Sequence, residues 1–292
     1  MREPETAVVL IAGPTASGKS RLALELAAER GGIVVNADSM QVYRELRVLT
    51  ARPSLEDEAG VPHRLYGHVS AATRHSTGAW LAEARTALDE ARRAGRPAIF
   101  VGGTGLYFKA LTEGLSAIPP IPPDVRESVR VWAGARDAPA LHAALAAVAP
   151  ADAAAIRPSD RARIVRAMEV FRATGRPLGE WHKAAGVPLV SVAERIVLDP
   201  DRDLLHRRIA ERAARMLDEG AVEEVRALAA LAIPPDMPAM KAIGVREILD
   251  LLGGRIAKAE AVERIAAATR QYARRQLTWF RNQMAGWPRR AA

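Results

Sequence analysis

An apolar run from Ala7 to Ala12 leads directly into Gly13-Pro14-Thr15-Ala16-Ser17-Gly18-Lys19-Ser20, and a helical pattern opens near Arg21. The octet satisfies G-x-x-x-x-G-K-[ST] at every fixed position, in the strand, loop and helix context that the pattern requires. Few local folds accommodate it. The glycines let the backbone curl until successive amides point inward, the helix start adds the positive end of its dipole, and Lys19 adds a mobile full charge. The product is a cradle for a di- or triphosphate, with Ser20 as the hydroxyl ligand of a magnesium ion bridging the phosphates. These eight residues do not say which phosphate compound is bound.

The surrounding chain reads as α/β. Strand-like runs at Ala7 to Ala12, Ile33 to Asn36 and Ala98 to Val101 alternate with helical patterns at about Lys19 to Glu29 and Thr77 to Ala94. Such alternation predicts a parallel sheet with covering helices and ligands at the carboxyl ends of the strands. Two further segments follow strands at that edge. In Asn36-Ala37-Asp38-Ser39-Met40-Gln41-Val42-Tyr43, Asp38 is either a site residue or a helix N-cap whose capping box is closed by Gln41. In Gly102-Gly103-Thr104-Gly105-Leu106-Tyr107, the glycines either admit a ligand close to the backbone or make an ordinary strand-to-helix turn.

Other chemistries are excluded or disfavoured by composition. With 292 residues the chain can bury a substantial core, and with no cysteine it has no disulfide, thiolate metal site or Cys nucleophile. The six histidines, His63, His68, His75, His142, His182 and His206, show no paired metal-ligand spacing, so no structural metal is expected. No apolar run approaches the roughly 18 residues that span a bilayer. Glu3 and Glu5 stand before a strand that enters the phosphate loop, so no secretory leader is expected and a cytoplasmic setting is. The net charge of +8, carried mostly by arginine, favours a polyanionic partner.

Ser116 to Pro123 holds four prolines, which remove donors and fix φ, and reads as the hinge into an insert. The expected division is a catalytic core of residues 1–117 and 190–292 around a helical insertion of residues 118–189. Within the insert, Ile164, Ala167, Met168 and Phe171 form the expected buried stripe of a helix, with Arg163 and Arg166 projecting elsewhere. Ser191 to Asp199 reads as a strand returning to the core sheet. Beyond it, Arg208, Arg212 and Arg215 are spaced four and three apart and share a helix face. The last helix, about Lys258 to Met284, places Arg270 and Arg274 on one face and interleaves Tyr272, Trp279 and Phe280 with the charges. Cations for phosphates and flat rings for unstacked bases are what an RNA surface needs, although a docking helix also buries aromatics in its core.

Together, G-P-T-A-S-G-K-S, D-S-M-Q-V-Y, G-G-T-G-L-Y, D-R-A-R-I-V-R-A-M-E-V-F, K-A-I-G-V-R-E and T-R-Q-Y-A-R-R-Q-L-T-W-F-R resemble the tRNA dimethylallyltransferases over nearly the whole chain. The resemblance implies a P-loop NTPase-like core with an all-helical insert, acting as a monomer. The implied reaction moves a dimethylallyl group from dimethylallyl diphosphate to the exocyclic amine of the adenosine beside the anticodon. By the same resemblance the loop from Gly13 to Ser20 holds the diphosphate with Mg2+, helped by Arg52, and Arg212 grips it. Asp38 is the implied general base, and Thr104 positions a substrate. Ser39, Met40 and Gln41 are implied to face the tRNA anticodon stem-loop, as are Arg126, Arg163 and Arg166 of the insert and Lys241, Arg270 and Arg274 of the core. Two residues depart from the family's pattern: Leu49 stands where glycine is usual, and Val245 where an aromatic is. The alternative is a small-molecule P-loop kinase using the insert as a lid over ATP, with Asp199 as the candidate magnesium aspartate. A non-catalytic RNA-binding protein with a relic loop is the reading from another class.

Overall fold

The computed structural model describes residues 7–184 and 186–291; Glu3 and Glu5 lie outside them. The chain divides into two compact units, Met1–Thr112 with Leu189–Ala292, and Glu113–Pro188. The first division thus falls ahead of the proline run rather than within it.

The larger unit is built on six strands: β1 (Val8–Ala12), β2 (Ile33–Asn36), β3 (His63–Arg64), β4 (Ala98–Gly102), β5 (Glu194–Leu198) and β6 (Arg289–Arg290). Their order is β3-β2-β4-β1-β5-β6 and every pairing is parallel. The sequence of β1, Val-Val-Leu-Ile-Ala, is apolar throughout because parallel strands are covered on both faces. Alternate residues go to opposite sides. Val8 and Leu10 join the apolar cluster that contains Trp80 and Phe280, whereas Val9 and Ile11 join the one that contains Leu22, Ala23 and Ala27. Ala12 pairs with Gly102 on one side and Val197 on the other, so the phosphate loop leaves the middle of the sheet at its carboxyl edge.

The helices in chain order are α1 (Lys19–Arg30), α2 (Leu55–Gly60), α3 (Thr77–Arg93), α4 (Gly105–Glu113), α5 (Pro123–Gly134), α6 (Ala138–Val148), α7 (Pro150–Ala155), α8 (Arg161–Thr174), α9 (Leu178–His182), α10 (Arg202–Asp218), α11 (Ala221–Ala230), α12 (Val245–Leu252) and α13 (Lys258–Gln283). Among the described residues, no helix is long and apolar enough to cross a membrane.

The smaller unit contains α5 to α9 around its own core of Val129, Leu141, Leu145, Ile164, Ala167 and Met168. Pro123 opens α5, where a missing N–H costs nothing. The buried Asp152 carboxylate accepts from Leu178 N and Gly179 N at 2.7 and 2.8 Å, fixing the start of α9. Along α8, Val170 is buried while Phe171 is only half-buried, so the buried face is rotated slightly from the expected stripe.

One side chain ties the sheet to the loops above it. Trp80 of α3 is fully buried, stacks on Tyr107 at 4.0 Å between centroids, and donates from Nε1 to Asn36 O at 2.9 Å. Asn36 in turn bonds the next turn: its Oδ1 accepts from Asp38 N at 2.8 Å, and its Nδ2 donates to Asp38 O and Leu65 O at 2.9 and 3.0 Å. Trp80→Phe keeps the ring stack but strands the buried Asn36 carbonyl. It should lower stability by about 1–3 kcal/mol, read as a lower urea midpoint at unchanged m-value.

Candidate active site

The phosphate loop is shaped by the conformations its glycines allow. Gly18 lies at φ 85° just before α1, and Ala16 also has positive φ, at 62°. At Gly13 a Cβ would come within 2.7 Å of Ser17 Oγ, so the tight return of the loop requires glycine there. The Ser17 hydroxyl is buried and unpartnered among the described residues. Lys19 Nζ folds back to donate to Pro14 O at 3.2 Å. Ser20 follows it on α1 and is exposed, a hard oxygen donor of the type that suits a magnesium ion.

Two neighbouring strand ends meet beside this loop. No helix follows Asp38, so the N-cap reading does not hold; its Oδ1 instead closes a turn by accepting from Met40 N at 2.9 Å. Ser39 N donates to Thr104 Oγ1 at 2.9 Å, and the Thr104 hydroxyl donates to Ser39 Oγ at 3.3 Å. The Asp38 turn after β2 and the Thr104 turn after β4 are therefore one hydrogen-bonded unit. From α10, Arg212 reaches in and donates to Thr15 Oγ1 at 2.9 Å and to Leu49 O at 3.3 Å. Leu49 is itself fixed, because the Glu224 carboxylate accepts from the amides of Arg47, Val48 and Leu49 at 2.8, 2.7 and 3.0 Å.

The electrostatics show that these groups share one space. Burial lowers the Lys19 pKa to about 8, with Asp38 opposing the shift and Arg212 adding to it. Arg212 is pushed down by burial and by Arg215 and is held up by the same Asp38. Asp38 also raises Tyr66, Tyr107 and Tyr272, in each case after a larger effect of burial, so all three phenols stay neutral. Arg208, Arg212 and Arg215 share a cavity of about 280 Å³ with Ala16, Gly18 and Arg21. Arg208 Nη1 is buried without a hydrogen-bond partner among the described residues.

The other expected residues have partners of their own or lie toward the surface. The Arg52 guanidinium packs over Gly67 and donates to Arg44 O at 3.2 Å and Tyr43 O at 3.4 Å. The Gln41 amide donates to Thr50 O and Ala51 O, shaping that loop. Lys241 and Arg274 are exposed and Arg270 is half-buried, while in the separate helical unit Arg163 pairs with Asp160 and Arg166 with Glu169. Arg126, near the start of α5, is half-buried. Arg274 lines an open cavity of about 570 Å³ on α13 with Gln271, Arg275, Thr278, Trp279 and Asn282.

One central residue carries no signal of its own in the sequence. Gln276 of α13 is buried; its Oε1 accepts from Thr15 N at 3.0 Å and its Nε2 donates to Gly103 O at 2.9 Å. A Cβ on Gly103 would lie 2.1 Å from that Nε2, and one on Gly105 would lie 2.0 Å from the Trp279 ring. The glycines of the Thr104 turn thus serve close packing of α13. A buried amide on an otherwise apolar helix face was the available clue.

A family model described as IPP transferase matches residues 41–283, and one described as isopentenyl transferase matches residues 6–71. A tRNA dimethylallyltransferase of Agrobacterium fabrum is 55% identical over 284 residues, covering 96% of this chain and 95% of its own. The chain belongs to the tRNA dimethylallyltransferase family. A relative from Chelativorans sp. with the same name is 56% identical over 277 residues, covering 94% and 95%. Among solved structures, a tRNA isopentenylpyrophosphate transferase of Bacillus halodurans is similar at TM-score 0.70 and 33% identity, over 98% of this chain and 90% of that one. A eukaryotic dimethylallyltransferase acting on tRNA is similar at TM-score 0.81 and 27% identity, over 94% and 70%. The core is accordingly the family's P-loop-like sheet.

Dimethylallyl diphosphate is the small substrate that the family implies, and a diphosphate held at Lys19 would bind with a pH dependence set by the lowered pKa of that amine. Lys19 is cationic below about pH 8 in the free protein, so affinity should hold there and weaken roughly tenfold per unit above it. Lys19→Met should be weak throughout and flat across the same range. Equilibrium titration of dimethylallyl diphosphate against pH reads both.

Proposed function

We propose that the chain transfers the dimethylallyl group of dimethylallyl diphosphate to the exocyclic amine of the adenosine adjacent to the anticodon of tRNA, with diphosphate as the leaving group. The supporting observation is that one carboxylate, Asp38, acts electrostatically on both cations of the phosphate cradle, Lys19 and Arg212. This supports reading a base beside a leaving-group site.

Each end of the reaction has its residues. An adenine amine is a poor nucleophile because its lone pair is drawn into the ring, so its proton must leave as the carbon–nitrogen bond forms. Asp38 accepts that proton at Oδ2, since Oδ1 is engaged with Met40 N. Thr104, bonded to Ser39, positions the base. At the other end the loop amides, Lys19 and Arg212 stabilise the charge that grows on the diphosphate as the carbon–oxygen bond breaks. Arg208, already partly desolvated beside the loop, adds to that grip. Ser20 would hold a magnesium ion at the loop, and that ion would supply further charge neutralisation. Arg52 acts more remotely, by holding the loop that presents Leu49 O to Arg212.

The tRNA anticodon stem-loop is the second substrate. Arg270, Arg274 and Lys241 of the core and Arg126, Arg163 and Arg166 of the insert are its proposed cations, with Ser39, Met40 and Gln41 beside the entering base. A loop base leaves its stack at lower cost than a paired one. The protein works as a monomer in the cytoplasm. The kinase reading loses its magnesium aspartate, because Asp199 Oδ2 accepts from Arg289 Nη1 at 3.1 Å between β5 and β6.

Incubating tRNA with labelled dimethylallyl diphosphate, and separately with labelled ATP, tests the reading. Label should move to tRNA from the diphosphate alone; ATP consumption without prenylation would sink it. Asp38→Asn keeps the turn, because the amide oxygen still accepts from Met40 N. It should lower turnover by about 10²–10⁴ while leaving the affinity for dimethylallyl diphosphate intact. Near-normal turnover in that variant rules Asp38 out as the base.

A further inference from the structure

Away from the phosphate loop, His68, His75 and Glu83 bring three ligand atoms within 4.8 Å of one another. The Nε2 of each imidazole lies 3.0 Å from the same oxygen, Glu83 Oε2. A separate piece of backbone fixes each member. His68 precedes Val69, whose N–H donates to Val42 O at 3.0 Å and whose carbonyl accepts from Arg44 N at 2.8 Å, in a parallel bridge to Tyr43. His75 stands directly before Ser76, the N-cap of α3, whose hydroxyl accepts from Ala79 N at 3.1 Å. Glu83 lies about two turns into the same helix, on the face that returns toward His75. The loop between them is closed by Thr73 N donating to Ser70 O at 2.9 Å and is tied down by Ala71 N donating to Glu45 Oε2 at 2.9 Å.

The donors are therefore set in place before any ligand arrives. The His75 side chain is 5% exposed, against 30% for His68 and 35% for Glu83, so the cluster has a buried wall and an open face. We propose that His68 Nε2, His75 Nε2 and Glu83 Oε2 form a binding site for a divalent first-row metal, best suited to zinc, with solvent completing the coordination. Zinc bonds of about 2.0–2.2 Å at tetrahedral angles hold neighbouring donors about 3.3 Å apart, and two of the three separations are already within a few tenths of that. Two imidazoles and one carboxylate suit zinc or cobalt, whereas magnesium and calcium favour all-oxygen sets. The ion would clip the segment after β3 to the start of α3. Trp80, which holds the Asn36 carbonyl, lies on that helix between His75 and Glu83, so the metal acts as a brace behind the Asp38 turn. Histidines seven apart, joined by a loop and completed by a helical glutamate, match no local metal pattern. Spacing alone therefore predicts none.

Titrating the metal-free full-length protein with Co2+, then competing with Zn2+, tests the site. One equivalent of Co2+ should give visible ligand-field bands that Zn2+ abolishes, and Zn2+ should raise the melting temperature. Glu83→Gln is the discriminating variant, because its amide oxygen still accepts from both imidazoles while the anionic ligand is lost. It and His68→Ala, a change at an exposed residue, should each weaken zinc binding by roughly 100-fold or more, beyond the effect of losing an outer-shell partner. Absence of a saturable equivalent in the wild type overturns the proposal. Zinc binding that is the same in both variants as in the wild type also overturns it, leaving a hydrogen-bonded triad.

Discussion

The burial of two cations, Lys19 and Arg212, beside one phosphate loop is the constraint on which the site depends. Burial lowers the proton affinity of both, Arg212 adds to this at Lys19 and Arg215 at Arg212, and Asp38 is the carboxylate that opposes it for both. Isolated, such an arrangement would relax by moving the side chains into solvent. It persists because each cation is anchored: Lys19 on Pro14 O, Arg212 on Thr15 Oγ1 and Leu49 O. An anion that replaces these anchors relieves both desolvation and repulsion, and so binds a site already organised for it.

The walls of this site come from distant parts of the chain, and backbone satisfaction explains why. A curled loop exposes amides that no sheet or helix pairs, and the Gly103 carbonyl beyond β4 is similarly left over. Gln276 supplies one acceptor and one donor and settles both. The helix that carries it also carries Arg270 and Arg274, so the proposed RNA surface and the wall of the phosphate loop belong to one rod. Leu49 and Val245 fit the same economy of space. A Cβ on Gly244 would lie 2.5 Å from Leu49 Cδ1, so the leucine fills room beside Val245, which has less bulk than the family's usual aromatic.

The sheet was legible because buried parallel strands are uninterrupted apolar runs, as in β1, β2 and β4, and because the G-K-S octet demands its own context. β3 and β6 were not, since two residues show no periodicity. At Asp38 spacing alone equally allowed a site residue or an N-cap; the family pattern favoured the first, and the Asx turn to Met40 N excludes the second. Arg212 was singled out from Arg208 and Arg215 on the same helix face only through the family pattern. Gln276, Asn36 and Trp80 escaped notice because their work is done through hydrogen bonds spanning 173, 29 and 44 residues, which no local pattern reports. His68, His75 and Glu83 escaped because histidines seven apart across a loop match no local metal pattern.

The bond from Thr15 to Gln276 crosses 261 positions of sequence. During synthesis at about 5–20 residues per second, the phosphate loop is made roughly 13–50 s before the side chain that completes it. Through that interval the nascent chain carries the motif but not the finished cradle. The wall of the loop therefore arrives late in translation, and partial products leave Thr15 N and the Gly103 carbonyl without the side chain that joins them.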